Sequence, residues 1–252
     1  MPTTLIILAH PERRSFNGAW AEESARQSTT QGQTVLWSDL NAMGFDPAES
    51  AKHYRAPAVP FDPLKAQENA AFANSLPDTV QTEIAKITKA DRLIFHFPIW
   101  WFGPPAILKG WCERVLAHGA LHTVDERFDN GRCIGKKAMF CVTAGAQQSE
   151  SAHNGKEGDV QMLLWPLAYT LRYLGMTVLQ PKVCSGVHGY FKEEAETELK
   201  LRLSSVLKKH ADTIKDFDSL PSITFNSDRD FDSDGRLKPE APSHSHFIRH
   251  DP

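Results

Sequence analysis

The chain predicts an α/β fold, an open and mostly parallel sheet with helices on both faces, on three observations. It opens on "TTLIILAH", a short and almost wholly apolar run of the kind a strand buried on both faces requires. Strand-like and helix-like segments then alternate as far as Leu207. Several of the loops that follow strands, where ligands sit in such sheets, have unusual composition.

The elements follow in order. After the first strand, "FNGAWAEESARQSTTQG" reads as a helix stopped at Gly32, and "QTVLWSDL" as the second strand. Residues 41–63, rich in Pro, Ala and Asp, read as a surface excursion. "DTVQTEIAKITKA" has helical spacing and leads into the strand "DRLIFHFP". Pro104 and Pro105 then suit the start of a helix on which Ile107, Leu108, Trp111 and Val115 share one face. "KKAMFCVTAGA" is a further strand, "GDVQMLLWPLAYTLRYLGM" a helix expected to be interrupted near Pro166, and "TVLQPKVCSG" one more strand. Leu199, Leu203 and Leu207 mark a closing helix. Two parts result: a domain over 1–214 and an extended tail over 215–252. The tail is expected to be either disordered or draped over another surface, and its isolated Phe225, Phe231 and Phe247 favour draping across a dimer partner.

The whole-chain balance excludes several functions. With 28 Lys and Arg against 31 Asp and Glu over 252 residues, there is no basic block to follow a nucleic-acid backbone. The N-terminal apolar run is too short for a signal peptide and no later stretch approaches membrane-spanning length, so the expectation is a cytoplasmic protein without membrane insertion. Cys112, Cys133, Cys141 and Cys184 stand in apolar segments without CxxC spacing, which suits reduced core residues. His153 and the pair His244 and His246 lack carboxylate or cysteine at ligand spacing, so no metal is expected. No GxSxG elbow supports a hydrolase.

Three loops after strands carry the chemistry. "HPERRSFNG" places His10, Ser15 and Asn17 at a helix entrance, where free backbone N–H groups suit phosphate and Ser15 equally suits a plain helix cap. It is neither GxGxxG nor GxxxxGK[ST], which counts against a Rossmann nicotinamide enzyme and a P-loop hydrolase. "HFPIWWFGPP" sets Trp100, Trp101 and Phe102 side by side; neighbours on a strand point to opposite faces, so some of these rings must line a cleft. "TAGAQQSESAHNGKEGD" begins small, which lets backbone approach a flat ligand closely. Together they describe a slot for a planar ring with a phosphate seat, as a flavin nucleotide requires.

The chain resembles the flavodoxin-like NAD(P)H:quinone oxidoreductases of the DT-diaphorase type. The resemblance rests on "LAHPERRSFN", "FPIWWFGPPAILKGWCERV", "KKAMFCVTAGA" and "GDVQMLLWPL", in the family's order and spacing over roughly residues 4–190. It implies a twisted five-stranded parallel sheet, a non-covalent flavin (FAD, with FMN open because the family's adenosine-contacting Gln has no secure counterpart near Asp62), NAD(P)H as donor, a quinone as acceptor, and a homodimer. Residue by residue it implies that His10, Ser15, Phe16, Asn17 and Ala19 hold the diphosphate. Pro98, Ile99, Trp100, Trp101 and Phe102, with Thr143, Ala144, Gly145 and Ala146, frame the isoalloxazine.

Gly145 carries backbone stabilisation of the reduced ring in this reading. Ser151 and Glu157 stand where the mammalian type has a Tyr and a His that move charge and proton. Aromatic roof positions fall on His122, Val124 and Tyr173, beside Trp101 and Phe102 at the acceptor site. The resemblance implies a two-electron, ping-pong hydride relay. A flavin-dependent azo- or nitro-compound reductase, and a regulatory flavoprotein subunit of a potassium-efflux transporter, are the alternatives it leaves open.

Overall fold

A computed structural model describes residues 1–251. Six strands, β1 (Thr3–Leu8), β2 (Thr34–Asp39), β3 (Arg92–Pro98), β4 (Lys137–Thr143), β5 (Thr177–Val178) and β6 (Lys182–Cys184), form one parallel sheet in the order β2-β1-β3-β4-β5, with β6 also on β4. The helices are α1 (Phe16–Thr30), α2 (Pro63–Phe72), α3 (Asp78–Lys89), α4 (Ala106–Val115), α5 (Val160–Tyr173) and α6 (Glu193–Lys215). The predicted α/β class and its flavodoxin-like order are therefore present.

Strand periodicity sorts the apolar residues into two cores. Leu5, Ile7, Phe95, Phe97, Phe140 and Val142 face one side, where Trp111 of α4 and Leu164, Leu167 and Leu171 of α5 cover them. Ile6, Leu8, Ile94, Met139 and Cys141 face the other, under Trp20 and Ala21 of α1 and Ile214 of α6. Because β1 and β3 are buried on both sides, neither shows polar alternation, which is why they were legible as apolar runs. All four cysteines are free and buried, and burial pushes the Cys112 thiol up to about 12. No helix among the described residues is long and apolar enough to cross a membrane.

Four elements differ from the sequence expectation. The excursion ends in α2, begun by Pro63 with the Asp62 carboxylate accepting from the Lys65 N–H; its Ala-rich body, with few large apolar residues, hid the periodicity. Helix α5 runs through Pro166 without a break. Pro166 stands on the exposed side, where water can meet the Met162 carbonyl that the missing N–H leaves free. The single strand expected over "TVLQPKVCSG" is split at Gln180 and Pro181 into β5 and β6, which take successive stretches of the same edge of β4. The tail returns to its own chain: the Ile223 N–H donates to the Val178 carbonyl at 2.8 Å, and Phe225 and Phe247 lie on Trp165 at 5.1 and 6.0 Å.

The second core holds a polar knot. Ser24 Oγ lies 3.0 Å from His96 Nε2 and 2.6 Å from His210 Nε2, with Trp20 edge-on to both rings. Burial pushes His210 down to about 4 and His96 well below its ordinary range, so both are neutral near pH 7. An unfolded chain binds these protons near pH 6.5 while the folded one refuses them until lower pH, so stability is full above about 6.5 and falls as pH drops. At about pH 5, His210 alone removes about 2 kcal/mol. Urea midpoints measured across this window should fall in step, and His210→Gln should flatten the slope; a midpoint independent of pH from about 7.5 to about 5 contradicts this.

Candidate active site

The loops after β1, β3 and β4 meet beyond the carboxyl ends of these strands, at the point where the strand order reverses. Each is built by local rules. After β1, Ser15 caps α1, its Oγ accepting from the Gly18 N–H at 3.2 Å. The Arg13 carbonyl crosses the helix start so closely that a Cβ on Gly18 would lie 1.9 Å from it, so only glycine fits. The N–H groups of Phe16 and Asn17 precede any possible intrahelical acceptor and stay available to an anion. Capping by Ser15 thus leaves the Phe16 and Asn17 N–H groups free to meet an anion.

Asn17 is buried, its Oδ1 accepting from Thr143 Oγ1 at 2.9 Å across to the end of β4. Its Nδ2 is buried with no partner. A buried amide donor left unpaired at a helix start is costly and marks a place for a polar ligand.

After β3, the Trp100 and Gly103 backbones exchange N–H···O bonds at 3.0 and 3.2 Å, enclosing a two-residue turn. Trp101 and Phe102 occupy it with φ of 49° and 64°, the left-handed region. Turns of this kind favour Asn or Gly, and two bulky aromatics there hold strain of the sort functional sites keep. The geometry presents Trp101 95% exposed and Phe102 55% exposed, while Trp100 turns back toward the His10 ring at 5.7 Å.

After β4, the Ala144 N–H donates to the Cys184 carbonyl and the Gly186 N–H to the Ala146 carbonyl, pinning the loop to the end of β6. Gly145 between them is exposed, nothing lies within 4 Å of where its Cβ would be, and its N–H has no backbone partner among the described residues. The following loop is folded back by Glu157 N–H to Glu150 carbonyl and Val160 N–H to Ser151 carbonyl bonds, and Asp159 caps α5.

A cleft of 250 Å³ results, with Trp101 and Phe102 facing Gly145, Ala146, Ser151 and Glu157, and Val160 and Leu163 of α5 at its floor. The structure therefore brings Ile99, Trp101, Phe102 and Ala144 to Ala146 together with Ser151 and Glu157, with Pro98 and Thr143 at the paired ends of β3 and β4, while Trp100 lies outside the cleft lining. Ala19 sits one turn inside α1, its N–H on the Ser15 carbonyl. A second, apolar cleft of 790 Å³ shares Phe102 and Leu163 with the first and is lined by His122 and Tyr173, with Trp165, Tyr169 and Phe247. Val124 is 62% exposed and lines neither cleft of its own chain. Burial and the neighbouring His118, 5.2 Å away, hold His122 below its ordinary pKa, so it is neutral at pH 7.

Val160, Leu163 and Trp165 were not legible as site residues, because apolar positions on an amphipathic helix read as core. Gly18 gave no motif signal, since its role is a close approach that only coordinates reveal. The unpaired Asn17 amide, the raised aromatic turn and the open Gly145 backbone together fit a flat ring joined to phosphate.

The fold and the cleft together define a flavodoxin-like protein, and the family described as flavodoxin-like fold matches residues 2–207. NAD(P)H dehydrogenase [quinone] 1 of Cavia porcellus is 38% identical over 199 residues, 77% of this chain and 72% of that protein. Ribosyldihydronicotinamide dehydrogenase [quinone] of Pongo abelii is 38% identical over 184 residues, 71% of this chain and 79% of that protein. A crystal structure from Klebsiella pneumoniae, of a protein provisionally described as a quinone reductase, superposes with a TM-score of 0.84 at 30% identity, covering 95% of each chain. The chain belongs to the NAD(P)H:quinone oxidoreductase family of flavodoxin-like fold.

Proposed function

We propose that this protein is a flavin-dependent NAD(P)H:quinone oxidoreductase, with the flavin ring in the 250 Å³ cleft and a quinone, or another flat acceptor, against its open face. The carrying observation is the left-handed Trp101-Phe102 turn held opposite the unpartnered Gly145 backbone. A flavin held there would supply two-electron hydride chemistry between NAD(P)H and the acceptor.

The chain's own residues do the rest. Phe16 and Asn17 N–H groups and the free Asn17 amide would seat phosphate of FAD or FMN, with His10 and Ala19 flanking. Trp101 and Phe102 would keep water off one face of a ring held opposite Ala144, Gly145 and Ala146. The Gly145 N–H, without a backbone partner in the cleft lining, would be available to stabilise negative charge on a reduced ring. Ser151 and Glu157 border the same space with a hydroxyl and a carboxylate, and His122 and Tyr173 border the adjoining acceptor cleft. The four reduced, buried thiols suit a cytoplasmic setting.

Because donor and acceptor share the open face of one ring, steady-state kinetics with NAD(P)H and a small benzoquinone should give parallel double-reciprocal lines, with mutual competition at high concentration. Intersecting lines without such competition would assign two separate pockets. A colourless protein that never takes up added FAD or FMN would reject the whole reading.

The working unit in this reading is a homodimer. Trp101 and Phe102 are adjacent and each at least 55% exposed beside the ring cleft, and a raised aromatic pair of this kind is normally covered. Sedimentation should give twice the 28.2 kDa chain mass. A monomer at micromolar concentration refutes it.

A further inference from the structure

The outermost tail, residues 243–248, forms part of the wall of the acceptor cleft through Phe247 and Ile248. It is fastened mainly to itself. Ser243 Oγ donates to the Ile248 carbonyl at 2.9 Å, Ser245 Oγ accepts from the Phe247 and Ile248 N–H groups at 3.2 and 3.3 Å, and His250 Nε2 lies 2.8 Å from the Ala241 carbonyl. Among the described residues, every hydrogen bond of 243–251 closes within 241–250. A gap of 430 Å³ separates Ser243 to His246 from Asp159, Gln161 and Met162 at the start of α5. The segment thus has a void on one side, the 790 Å³ cleft on the other, and one large contact with the body. That contact is a stack: Phe247 lies on Trp165 at 6.0 Å and 13°. Trp165 also stacks on Tyr169, at 6.1 Å and 16°, so three rings form a ladder along the cleft.

We propose that residues 243–248 are a movable strap whose Phe247 occupies a face of Trp165 that a large flat acceptor would otherwise take, making Phe247 the residue that sets acceptor size. This rests on the reading that the 790 Å³ cleft receives the acceptor. A one-ring quinone fits beside Phe102, Leu163 and His122 with the strap in place. A three-ring quinone reaches the ladder and must displace Phe247 to stack there. The strap suits this exchange because its internal bonds travel with it, and what is given up is the ring stack and the partial burial of Ile248 at the cleft wall. The aromatic roof that the family resemblance places at His122 and Val124 is thereby supplied from the other end of the chain.

The test compares wild type with Phe247→Ala and Phe247→Trp, using flavin content to establish that the ring seat is intact. Phe247→Ala should lower KM for phenanthrenequinone at least fivefold while changing KM for 1,4-benzoquinone less than twofold, and Phe247→Trp should restore the wild-type ratio. Equal changes for both quinones, or none, would overturn the proposal. A second readout needs no turnover: phenanthrene titrated against tryptophan fluorescence, with Trp165→Phe identifying the reporting ring, should bind Phe247→Ala at least fivefold more tightly. If wild type reduces no quinone the functional reading fails by itself, and this titration still decides the strap: unchanged phenanthrene affinity in Phe247→Ala rejects it.

Discussion

Trp101→Gly is expected to make the flavin-free chain more stable and the flavin-loaded chain weaker. The φ of 49° at Trp101 lies where a side chain costs about 1–3 kcal/mol, and glycine adopts that region freely. With 95% of Trp101 exposed, little packing is lost on the other side of the ledger. Glycine's greater unfolded-state entropy returns about 0.5–1 kcal/mol, leaving a net gain near 1 kcal/mol. Stacking of a flat ring on an aromatic side chain is worth about 1–3 kcal/mol, so flavin dissociation should become roughly 5- to 100-fold easier. Urea unfolding of the flavin-free protein and titration of flavin fluorescence measure the two halves separately. A variant that is less stable without flavin, or that binds flavin as tightly as wild type, would show that the turn is not strained for the ligand's sake.

This turn also marks the limit of what the residues alone disclose. That Trp100, Trp101 and Phe102 could not all enter one core followed from strand geometry, and the structure does expose two of them strongly. Their left-handed conformation had no signal, because the residues that normally announce it, Asn and Gly, are absent. The sheet and its two helical layers were legible because double burial writes continuous apolar runs. The split of β5 from β6, the unbroken α5 and the return of Phe225 and Phe247 to Trp165 were not, since each depends on what a segment meets in space. Ser151 and Glu157 entered the site through resemblance, and the backbone bonds that fold their loop toward Gly145 are visible only in three dimensions.

The second large effect concerns these two residues. Both border the ring cleft, yet neither offers what reduction of the ring needs. Ser151 carries a hydroxyl without the reach of a phenol, and an ionised Glu157 accepts hydrogen bonds only, so it opposes negative charge on the ring. The Gly145 N–H then carries more of the stabilisation. Positioned acids and bases contribute roughly 10² to 10⁴ in rate, and Ser151→Tyr combined with Glu157→His should recover part of that, about tenfold or more in stopped-flow flavin reduction by NAD(P)H. The competing source of a proton is His122, half-buried and neutral near pH 7 in the adjoining cleft. No gain in the double variant together with a large loss in His122→Ala would transfer the role to that histidine.

The antiparallel contact of Ile223 with Val178 bears on how the protein can be cut. β5 is the last strand of the sheet, and residues 222–223 lie along it. A fragment ending near residue 214 would keep every parallel strand and the complete ring cleft, and would look by composition like a self-sufficient domain. It would also bare a row of backbone donors and acceptors beside β5, a template on which another chain's strand can add. Such a fragment should bind flavin and yet precipitate on concentration. On this expectation the tail shields the β5 edge from self-association, and cleavage at the boundary drawn from composition would expose that edge.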